Sequence, residues 1–259
     1  MRRFCYKCGA SEAQKGPLIH GLCQECFASE HRLIRAPRQV SVNVCRRCGA
    51  YMIGNKWQEP IDEGTAAQEA AKAAALSALR VAKFTDAGIE FVRPDEAEGV
   101  DLKFEVKPSA REVLVKVHAS GKVHEAQSKP IVDSAQVIVG VKPTTCAVCN
   151  LMRAGYYEAI LQVRGEKKIP ADKLEKIERA LMSNADKMMK NDRKIFISKI
   201  QEKPEGIDFY LSSISLARSM AEILKSNFKA KVVETAKLIG QDRGGKRKFR
   251  VSVLARLPS

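Results

Sequence analysis

The sequence predicts an α+β protein of two domains, a cysteine-rich first domain followed by an α/β sandwich. The chain has 259 residues, and a domain commonly holds about 100–200. All eight cysteines occur as four C-x-x-C pairs within residues 1–150. Beyond residue 150 the apolar residues alternate between strand-like and helix-like spacing, which is typical of a sheet covered by helices.

The cysteine spacing indicates metal binding. A C-x-x-C turn brings two thiolates within reach of one tetrahedral ion, so two pairs complete a four-cysteine zinc site. Glycine follows Cys8 and Cys48, and asparagine follows Cys149. These residue types tolerate the positive φ that a metal-binding knuckle requires after its second cysteine. The sequence therefore predicts two zinc ions, held by Cys5, Cys8, Cys23, Cys26, Cys45, Cys48, Cys146 and Cys149.

Four pairs allow three ways of sharing two ions. Fourteen residues separate Cys8 from Cys23, which is close to the spacing of zinc ribbons. Because short loops cost less entropy to close, we favour one site from the first two pairs and another from the last two. In a crossed arrangement the first pair would join the third. His20, three residues before Cys23, is a weaker ligand candidate because eight cysteines already complete two sites.

Disulfide and redox chemistry are the alternatives for the cysteines. The chain is long enough to bury a core without disulfides, and no apolar signal segment follows its first residues. A single C-x-x-C would fit a thioredoxin-like motif, but four pairs in one chain favour metal. No apolar run approaches the roughly 18 residues that a membrane span needs. We therefore expect a cytoplasmic protein with no membrane partner.

The net charge of +15 is unevenly distributed along the chain. Residues 1–60 contain 10 basic and 4 acidic residues, residues 61–140 contain 10 and 13, and residues 141–259 contain 25 and 13. Two basic regions that flank an acidic one predict a polyanionic partner, and nucleic acid fits better than a membrane surface. The residues that we expect to contact RNA are Arg2, Arg3, Lys7, Arg46, Arg47, Arg153, Arg164, Lys167, Lys168, Arg243, Lys246, Arg247, Lys248 and Arg250.

The first predicted domain covers residues 1–150 and contains an α+β insert at about residues 60–142. Alanine is the best helix former, so the alanine-rich segment 62–84 predicts a helix. Apolar alternation predicts strands at 89–93, 100–107, 111–118 and 135–141. A zinc ion shared by the third and fourth cysteine pairs would close this insert at its two ends.

The second predicted domain covers residues 151–259 in the order β-α-β-β-α-β-β. The predicted strands are 156–164, 195–201, 206–211, 230–239 and 247–257, and the helices are 170–190 and 214–228. In the last strand we expect Phe249, Val251, Val253, Ala255 and Leu257 to face inward. The basic hairpin 241–250, together with Arg164, Lys167 and Lys168, predicts one RNA-binding edge.

Several motifs accompany the four cysteine pairs: Arg153, Gly155 and the run from Tyr156 to Arg164, Asp208-Phe209-Tyr210 with Ser213 and Ala217, and Arg250 to Pro258. Together they resemble the nonsense-mediated-decay-three family of late assembly factors and nuclear export adaptors of the large ribosomal subunit. The resemblance spans nearly the whole chain. It implies an N-terminal domain of about residues 1–150 that holds all the cysteine pairs. The following domain, about residues 151–259, would be similar to a large-subunit ribosomal protein.

The resemblance also implies a function. Members of the family are not enzymes; they bind ribosomal RNA on the intersubunit face of the nascent large subunit and block premature subunit joining. Because this chain stops at Ser259, without the further barrel domain and leucine-rich tail of eukaryotic members, we expect an archaeal-type or truncated member. What the resemblance still implies for it is binding to the large subunit. Its expected partner is the large ribosomal subunit, which it would contact through ribosomal RNA and ribosomal proteins. Off the ribosome we expect the chain to be a monomer.

Two other functions compete with this hypothesis. One is a zinc-ribbon module that binds proteins in transcription or RNA processing. The other is a zinc-containing RNA-modifying enzyme, which the cysteines disfavour because four-thiolate zinc sites are closed and structural. The sequence also contains no glycine-rich phosphate loop and no H-E-x-x-H motif. Salt-dependent RNA binding would separate the first alternative from the ribosomal hypothesis.

Overall fold

The computed structural model describes residues 3–85, 88–109, 112–124, 127–241, 244–245 and 247–258. The chain divides into two compact units, Met1–Cys146 and Ala147–Ser259. No helix among the described residues combines the length and apolar content needed to cross a bilayer. Each unit has its own hydrophobic core.

The first unit contains three α-helices and nine β-strands among its described residues. The helices are α1 (Glu12–Lys15), α2 (Gln24–Glu30) and α3 (Ala66–Ala78). The strands are β1 (Ile34–Arg35), β2 (Gln39–Cys45), β3 (Tyr51–Ile53), β4 (Lys56–Gln58), β5 (Arg80–Thr85), β6 (Gly88–Val92), β7 (Val100–Pro108), β8 (Glu112–Gly121) and β9 (Ile131–Thr144).

A six-stranded sheet in the order β4-β3-β2-β9-β8-β7 organises this unit, beside a smaller sheet β1-β5-β6. Strands β2 and β9 pair in parallel, from Gln39 opposite Ile138 to Cys45 opposite Thr144. A parallel pair needs a long crossover, here the chain that contains α3 and β5 to β8. The segment expected as an insert at about 60–142 therefore continues the sheet that residues 39–58 begin.

Helix α3 is shorter than the predicted helix 62–84. Its buried face consists of small side chains that pack closely against the large sheet: Ala66, Ala70, Ala71, Ala74 and Ala75. The helix ends at Ala78, and Arg80–Thr85 forms β5 instead. The alanine run gives way there to Val81, which is buried, and to further residues with strand propensity. The predicted strands 89–93, 100–107 and 135–141 are confirmed as β6, β7 and β9, and the described part of 111–118 as β8.

The second unit has the predicted order of strands and helices, preceded by a short helix. The helices are α4 (Ala147–Arg153), α5 (Ala171–Asn191) and α6 (Ile214–Phe228). The strands are β10 (Ala159–Gly165), β11 (Ile197–Lys203), β12 (Gly206–Leu211), β13 (Lys231–Gln241) and β14 (Arg247–Leu257). The sheet order is β11-β12-β10-β14-β13, in which β10 and β14 are parallel. Ser213 caps α6 by accepting a hydrogen bond from the Ser215 backbone N–H.

Helices α5 and α6 cover one face of this sheet, as an α/β sandwich requires. Leu161, Phe209 and Val253 point toward that face and share a buried core with Leu181 and Met220 of the helices. The opposite face of β10 carries Ile160, Gln162 and Arg164, which are only partly buried. The sequence-based α+β class and the sandwich are therefore confirmed.

Strands β13 and β14 extend beyond the rest of the sheet. Strand β10 pairs with β14 only from Val251 onward. Residues 237–241 and 247–250 pair with each other, and all of them are exposed. We call these two segments the basic ribbon, because their described residues include Lys237, Arg247, Lys248 and Arg250 and no acidic side chain. The predicted inward position of Phe249 is wrong: it lies on this ribbon and is 43% exposed.

Candidate metal centres and basic surfaces

The first cysteine cluster brings together Cys5, Cys8, Cys23 and Cys26, whose Sγ atoms all lie within 4.8 Å of one another. The Sγ atoms of Cys8 and Cys23 are 3.7 Å apart. A tetrahedral site with zinc–sulfur bonds of about 2.3 Å has sulfur–sulfur edges of about 3.8 Å. A disulfide would need about 2.05 Å. The geometry therefore suits a metal ion.

The second cluster brings together Cys45, Cys48, Cys146 and Cys149 within the same limit of 4.8 Å. The Sγ atoms of Cys48 and Cys146 are 3.8 Å apart. Both clusters have the grouping that local loop closure favours, and the crossed arrangement is wrong. None of the eight cysteines, all of which the structure describes, is in a disulfide, and each cluster could hold a metal ion.

Both clusters begin with the same knuckle, encoded by Cys-x-x-Cys-Gly-Ala at residues 5–10 and 45–50. The backbone N–H of Cys5 donates to the Ala10 carbonyl at 2.9 Å, and that of Cys45 donates to the Ala50 carbonyl at 2.7 Å. Gly9 and Gly49 have φ values of +73° and +68°. The positive φ predicted after the second cysteine is confirmed for these two knuckles.

The second pair of each cluster lies at the start of a helix. Cys23 is the N-cap of α2, and Cys26 lies in its first turn. Cys146 immediately precedes α4, which contains Cys149. Asn150 is therefore helical, and the positive φ predicted for it is wrong. The unpaired N–H groups of a first helical turn favour thiolates, so a helix start serves the same purpose as a knuckle.

Hydrogen bonding prepares one thiol of each cluster for metal. Burial raises the pKa of Cys5, but donation by the backbone N–H groups of Cys23, Cys8 and Lys7 outweighs it and lowers the pKa to about 6. Burial likewise opposes the backbone donors that lower the pKa of Cys45 to about 6. Hydrogen bonding to the Cys23 thiol and burial raise the pKa of Cys26 to about 12. A lowered pKa favours the thiolate form of the first cysteine in each knuckle, and the thiolate is the form that binds metal.

His20 is not among the clustered side chains. Its ring lies edge-on to that of His124, with ring centroids 6.3 Å apart. Both clusters therefore have cysteine ligands only among the described residues, and each offers four of them.

The two knuckles differ in how their basic residues are engaged. The Lys7 Nζ lies 3.2 Å from the Glu30 carboxylate and donates to Ser29 Oγ at 3.2 Å. Arg46 and Arg47 occupy the corresponding turn of the second knuckle and are exposed. Neither arginine forms an ion pair with a residue that the structure describes. Arg3 is also exposed, and Arg2 lies outside the described residues.

The structure separates the basic residues that were expected to form one edge of the second unit. Lys167 and Lys168 follow β10 at the end where Gly165 pairs with Leu257. The basic ribbon extends from the opposite end of β14, where Val251 pairs with Ala159. The seven paired residues between these ends span about 20 Å. The prediction of a single edge is therefore wrong, and the two groups are separate surfaces.

Arg164 is mostly buried against the protein itself. Its guanidinium lies 2.6 Å from the Asp208 carboxylate and also donates to the Val163 carbonyl at 3.0 Å. Its side chain is only 18% exposed. These contacts favour a structural role over the RNA contact that the sequence predicts. Arg153, Arg247, Lys248 and Arg250 are exposed, whereas Arg243 and Lys246 lie outside the described residues.

A groove at the base of the basic ribbon was missed from sequence. It contains Tyr156, Glu158 and Phe249, and Arg250 lies beside them. Phe249 was assigned to the core because the alternation of β14 is uninterrupted. The signal that could have identified it is length, since the predicted strand 247–257 is longer than the partner strand it must pair with.

The fold and the two cysteine clusters define an α+β protein, in which two tetracysteine sites of the zinc-ribbon type are followed by an α/β sandwich. Residues 5–154 match the family model described as "NMD3, N-terminal domain", and residues 156–257 match "NMD3, second domain". The chain belongs to the NMD3 family, which confirms the family resemblance seen in the sequence.

Curated relatives are similar over nearly the whole chain. The protein of Bos taurus named "60S ribosomal export protein NMD3" is 27% identical over 242 residues. The proteins of the same name from Pongo abelii and Homo sapiens are each 26% identical over 242 residues. In all three, the match covers 92% of this chain and 43% of the relative. The chain therefore spans less than half the length of the curated relatives it matches.

Proposed function

We propose that this chain is a non-catalytic, zinc-containing factor that binds ribosomal RNA on the intersubunit face of the large ribosomal subunit. In this role it acts in late subunit maturation, blocks premature subunit joining, and is a cytoplasmic monomer when off the ribosome. The observation that carries the proposal is the match to both NMD3 domains, whose curated relatives are named as 60S ribosomal export proteins.

The cysteine geometry supports zinc as the metal. Four thiolates in a tetrahedral arrangement are the preferred ligands of zinc, and such closed sites are structural. Their coordination leaves no open position at which a water could be activated, which supports a role without catalysis. We propose a first zinc domain at about residues 1–150 and a separate RNA-contacting sandwich at 151–259.

Exposed cations support RNA as the ligand. Arg46 and Arg47 project from a turn that the second cluster makes rigid, and the basic ribbon presents Arg247, Lys248 and Arg250. Phosphate contacts from such side chains supply affinity without reading sequence. Arg3, Arg153, Lys167 and Lys168 are also exposed, and we propose them as further phosphate contacts outside these two surfaces.

Gradient sedimentation with purified large ribosomal subunits tests this proposal. We expect the zinc-loaded chain to comigrate with large subunits at low salt and to dissociate as salt rises. A variant with Arg46→Glu, Arg47→Glu and Lys248→Glu should remain at the top of the gradient. Binding should also lower the yield of joined subunits when small subunits are added. A chain that never comigrates at low salt would overturn the proposal, and salt-insensitive binding to a protein would favour the protein-interaction alternative.

A further inference from the structure

A groove of about 580 Å³ lies where the basic ribbon leaves the sheet of the second unit. One wall comes from the segment that precedes β10, through Tyr156, Tyr157 and Glu158. The other wall comes from Ile239 of β13 and from residues 247–250 of β14. A groove of this volume accommodates one nucleotide.

Two aromatic rings in this groove are open to solvent. Phe249 is 43% exposed and Tyr156 is 39% exposed. The neighbouring Tyr157 is already covered, because the Arg250 guanidinium lies 4.3 Å from its ring centroid and Tyr210 packs edge-on against it at 5.1 Å. Exposed aromatic side chains provide stacking surfaces for the unpaired bases of single-stranded nucleic acid.

The charge around these rings matches a nucleic-acid backbone. Arg247 and Lys248 line the groove on the ribbon side, and both side chains are exposed to solvent. Neither forms an ion pair with a described residue. Aromatic rings that alternate with uncompensated cations are the combination by which proteins hold single strands.

Glu158 is the exception to this positive lining, and its position suggests what it recognises. Its Oε1 accepts a hydrogen bond from the Tyr156 hydroxyl at 2.7 Å. This bond, together with burial, raises the pKa of Tyr156 to about 12. The other oxygen, Oε2, accepts no hydrogen bond from a residue that the structure describes. A carboxylate repels phosphate but accepts a hydrogen bond from the exocyclic amino group of a base.

We propose that this groove binds one unpaired RNA nucleotide whose base carries an exocyclic amino group, stacked on Phe249 and Tyr156, with its amino group donating to Glu158 Oε2. The adjoining phosphates contact Arg247 and Lys248. The inference rests on the proposed function, since it names the RNA feature that one of its basic surfaces would read. Cytosine and uracil test it cleanly because they have the same size, and uracil has a carbonyl oxygen where cytosine has the amino group.

The test uses the full zinc-loaded chain and labelled five-nucleotide RNAs of cytidine or uridine, measured by fluorescence anisotropy at low salt. We expect at least about tenfold tighter binding of the cytidine oligomer, as one hydrogen bond to a charged acceptor implies. Glu158→Gln should reduce this ratio to near one, because an amide can accept from cytosine and donate to uracil. Phe249→Ala should weaken both oligomers by about tenfold through lost stacking.

Val233→Ala is the matched control, since Val233 is 58% exposed on strand β13, pairs with Leu254 outside the ribbon, and is not part of the groove lining. It should change binding less than twofold. Phe249→Leu, which keeps the apolar side chain and removes the flat ring, should weaken binding as Phe249→Ala does if stacking is the cause. Photo-crosslinking of a central 5-iodocytidine should map to the peptides that contain Tyr156 or Phe249.

The outcomes separate this inference from the proposed function. Salt-sensitive binding of both oligomers with no preference for cytidine, or crosslinks that map outside the groove, would overturn the nucleotide site and leave the ribosomal proposal standing. Failure to sediment with large subunits would overturn the proposed function itself. A cytidine preference that survives Glu158→Gln would show that the carboxylate is not the recognising group and would also overturn the inference.

Discussion

The two cysteine clusters have the same knuckle sequence but different surroundings. The second cluster lies at the end of the parallel pair β2 and β9, where Cys45 is paired with Thr144. The first cluster has no such sheet beneath it among the described residues. Two isolated bridges, Phe4 with Ser11 and Ile19 with Leu22, and single backbone hydrogen bonds, such as that from the Tyr6 N–H to the Gly21 carbonyl, connect its backbone. Similar ligand geometry is therefore reached with and without a preformed support.

Burial follows the same division. Cys8 of the first cluster is exposed and Cys26 is half-buried, whereas the second cluster buries Cys45, Cys146 and Cys149. Metal binding supplies folding free energy wherever the apo site is not preformed. We infer that metal orders the first cluster and its flanking loops locally, whereas the metal of the second cluster also joins two strands of the main sheet. If this inference is right, equivalent substitutions in the two clusters should differ in their effect on stability and on RNA binding.

The two clusters should differ most in the unfolding free energy that is lost when one cysteine is replaced. Cys146→Ser removes a buried ligand beside the main sheet, so we expect the first unit to lose about 4 kcal/mol of unfolding free energy. Its thermal transition should fall by roughly 10 °C. Cys8→Ser removes an exposed ligand and should cost about half as much. Circular dichroism melts with zinc analysis of each variant would measure both.

Hydrogen exchange locates each of these losses. Faster exchange in Cys8→Ser should be confined to residues 3–31, and in Cys146→Ser it should extend to β2 and β9. Equal melting shifts together with exchange that spreads identically through the unit would show that the two clusters play the same role.

Replacing the glycine of each knuckle by alanine should produce a smaller difference in unfolding free energy between the two clusters. Gly9→Ala and Gly49→Ala both place a side chain at positive φ, which costs about 1–2 kcal/mol. At Gly49 the new Cβ would also lie 2.9 Å from the Ala66 Cβ of α3 and 3.1 Å from Pro60 Cγ. At Gly9 no described residue apart from its two chain neighbours comes within 4 Å of the new Cβ. Overpacking adds about 1–3 kcal/mol, so Gly49→Ala should be the more destabilising in chemical denaturation.

Gly9→Ala is the matched control for this measurement, because it shares the backbone strain and lacks the close contact. If the two variants unfold at the same denaturant concentration, the second knuckle is not braced by α3.

The smallest difference is expected in RNA affinity. Each lost phosphate contact lowers the slope of log K against log salt by about 0.7–0.9. Arg46→Ala combined with Arg47→Ala should therefore reduce the slope by about 1–2. Lys7→Ala should change it far less, because the Lys7 ammonium is already bound to Glu30 and Ser29. Filter binding of a ribosomal RNA fragment across a salt series measures the slope for the double variant and for Lys7→Ala.

A slope that falls equally with Lys7→Ala would mean that the Glu30 contact opens when RNA binds. In that case the two knuckles would contribute equally to phosphate binding, and the expected difference in their charge would be wrong.

Local sequence was sufficient for much of this structure. Spacing and loop length were enough to group the cysteines, and the periodicity of residues 170–228 located both helices of the sandwich. Prediction failed where local propensity and long-range pairing disagree. Arg80–Thr85 follows an alanine-rich run, yet it pairs with the neighbouring strand β6 and, through Arg80 and Val81, with β1 more than 40 residues earlier in the chain. No local pattern reveals the second pairing.

Side-chain roles were harder to predict than elements. Arg164 and Arg250 are equally basic in sequence, yet one is buried against Asp208 and the other lies on a projecting ribbon. Phe249 and Val251 share one alternating pattern, yet only Val251 has β10 beside it. These differences depend on where partner strands end, and strand ends are set by tertiary pairing.

The parallel pairing of β2 with β9 also sets an order of events during synthesis. The first cluster is complete once residue 26 has emerged, so it can take up metal while most of the chain is still unmade. Cys45 and Cys48 must wait for Cys146 and Cys149, about 100 residues later, at translation rates of about 5–20 residues per second. For several seconds the nascent chain therefore carries one finished site and two unprotected thiols. In zinc-poor cells, Cys45 and Cys48 should therefore be oxidised in a larger fraction of the chains than Cys5 and Cys8.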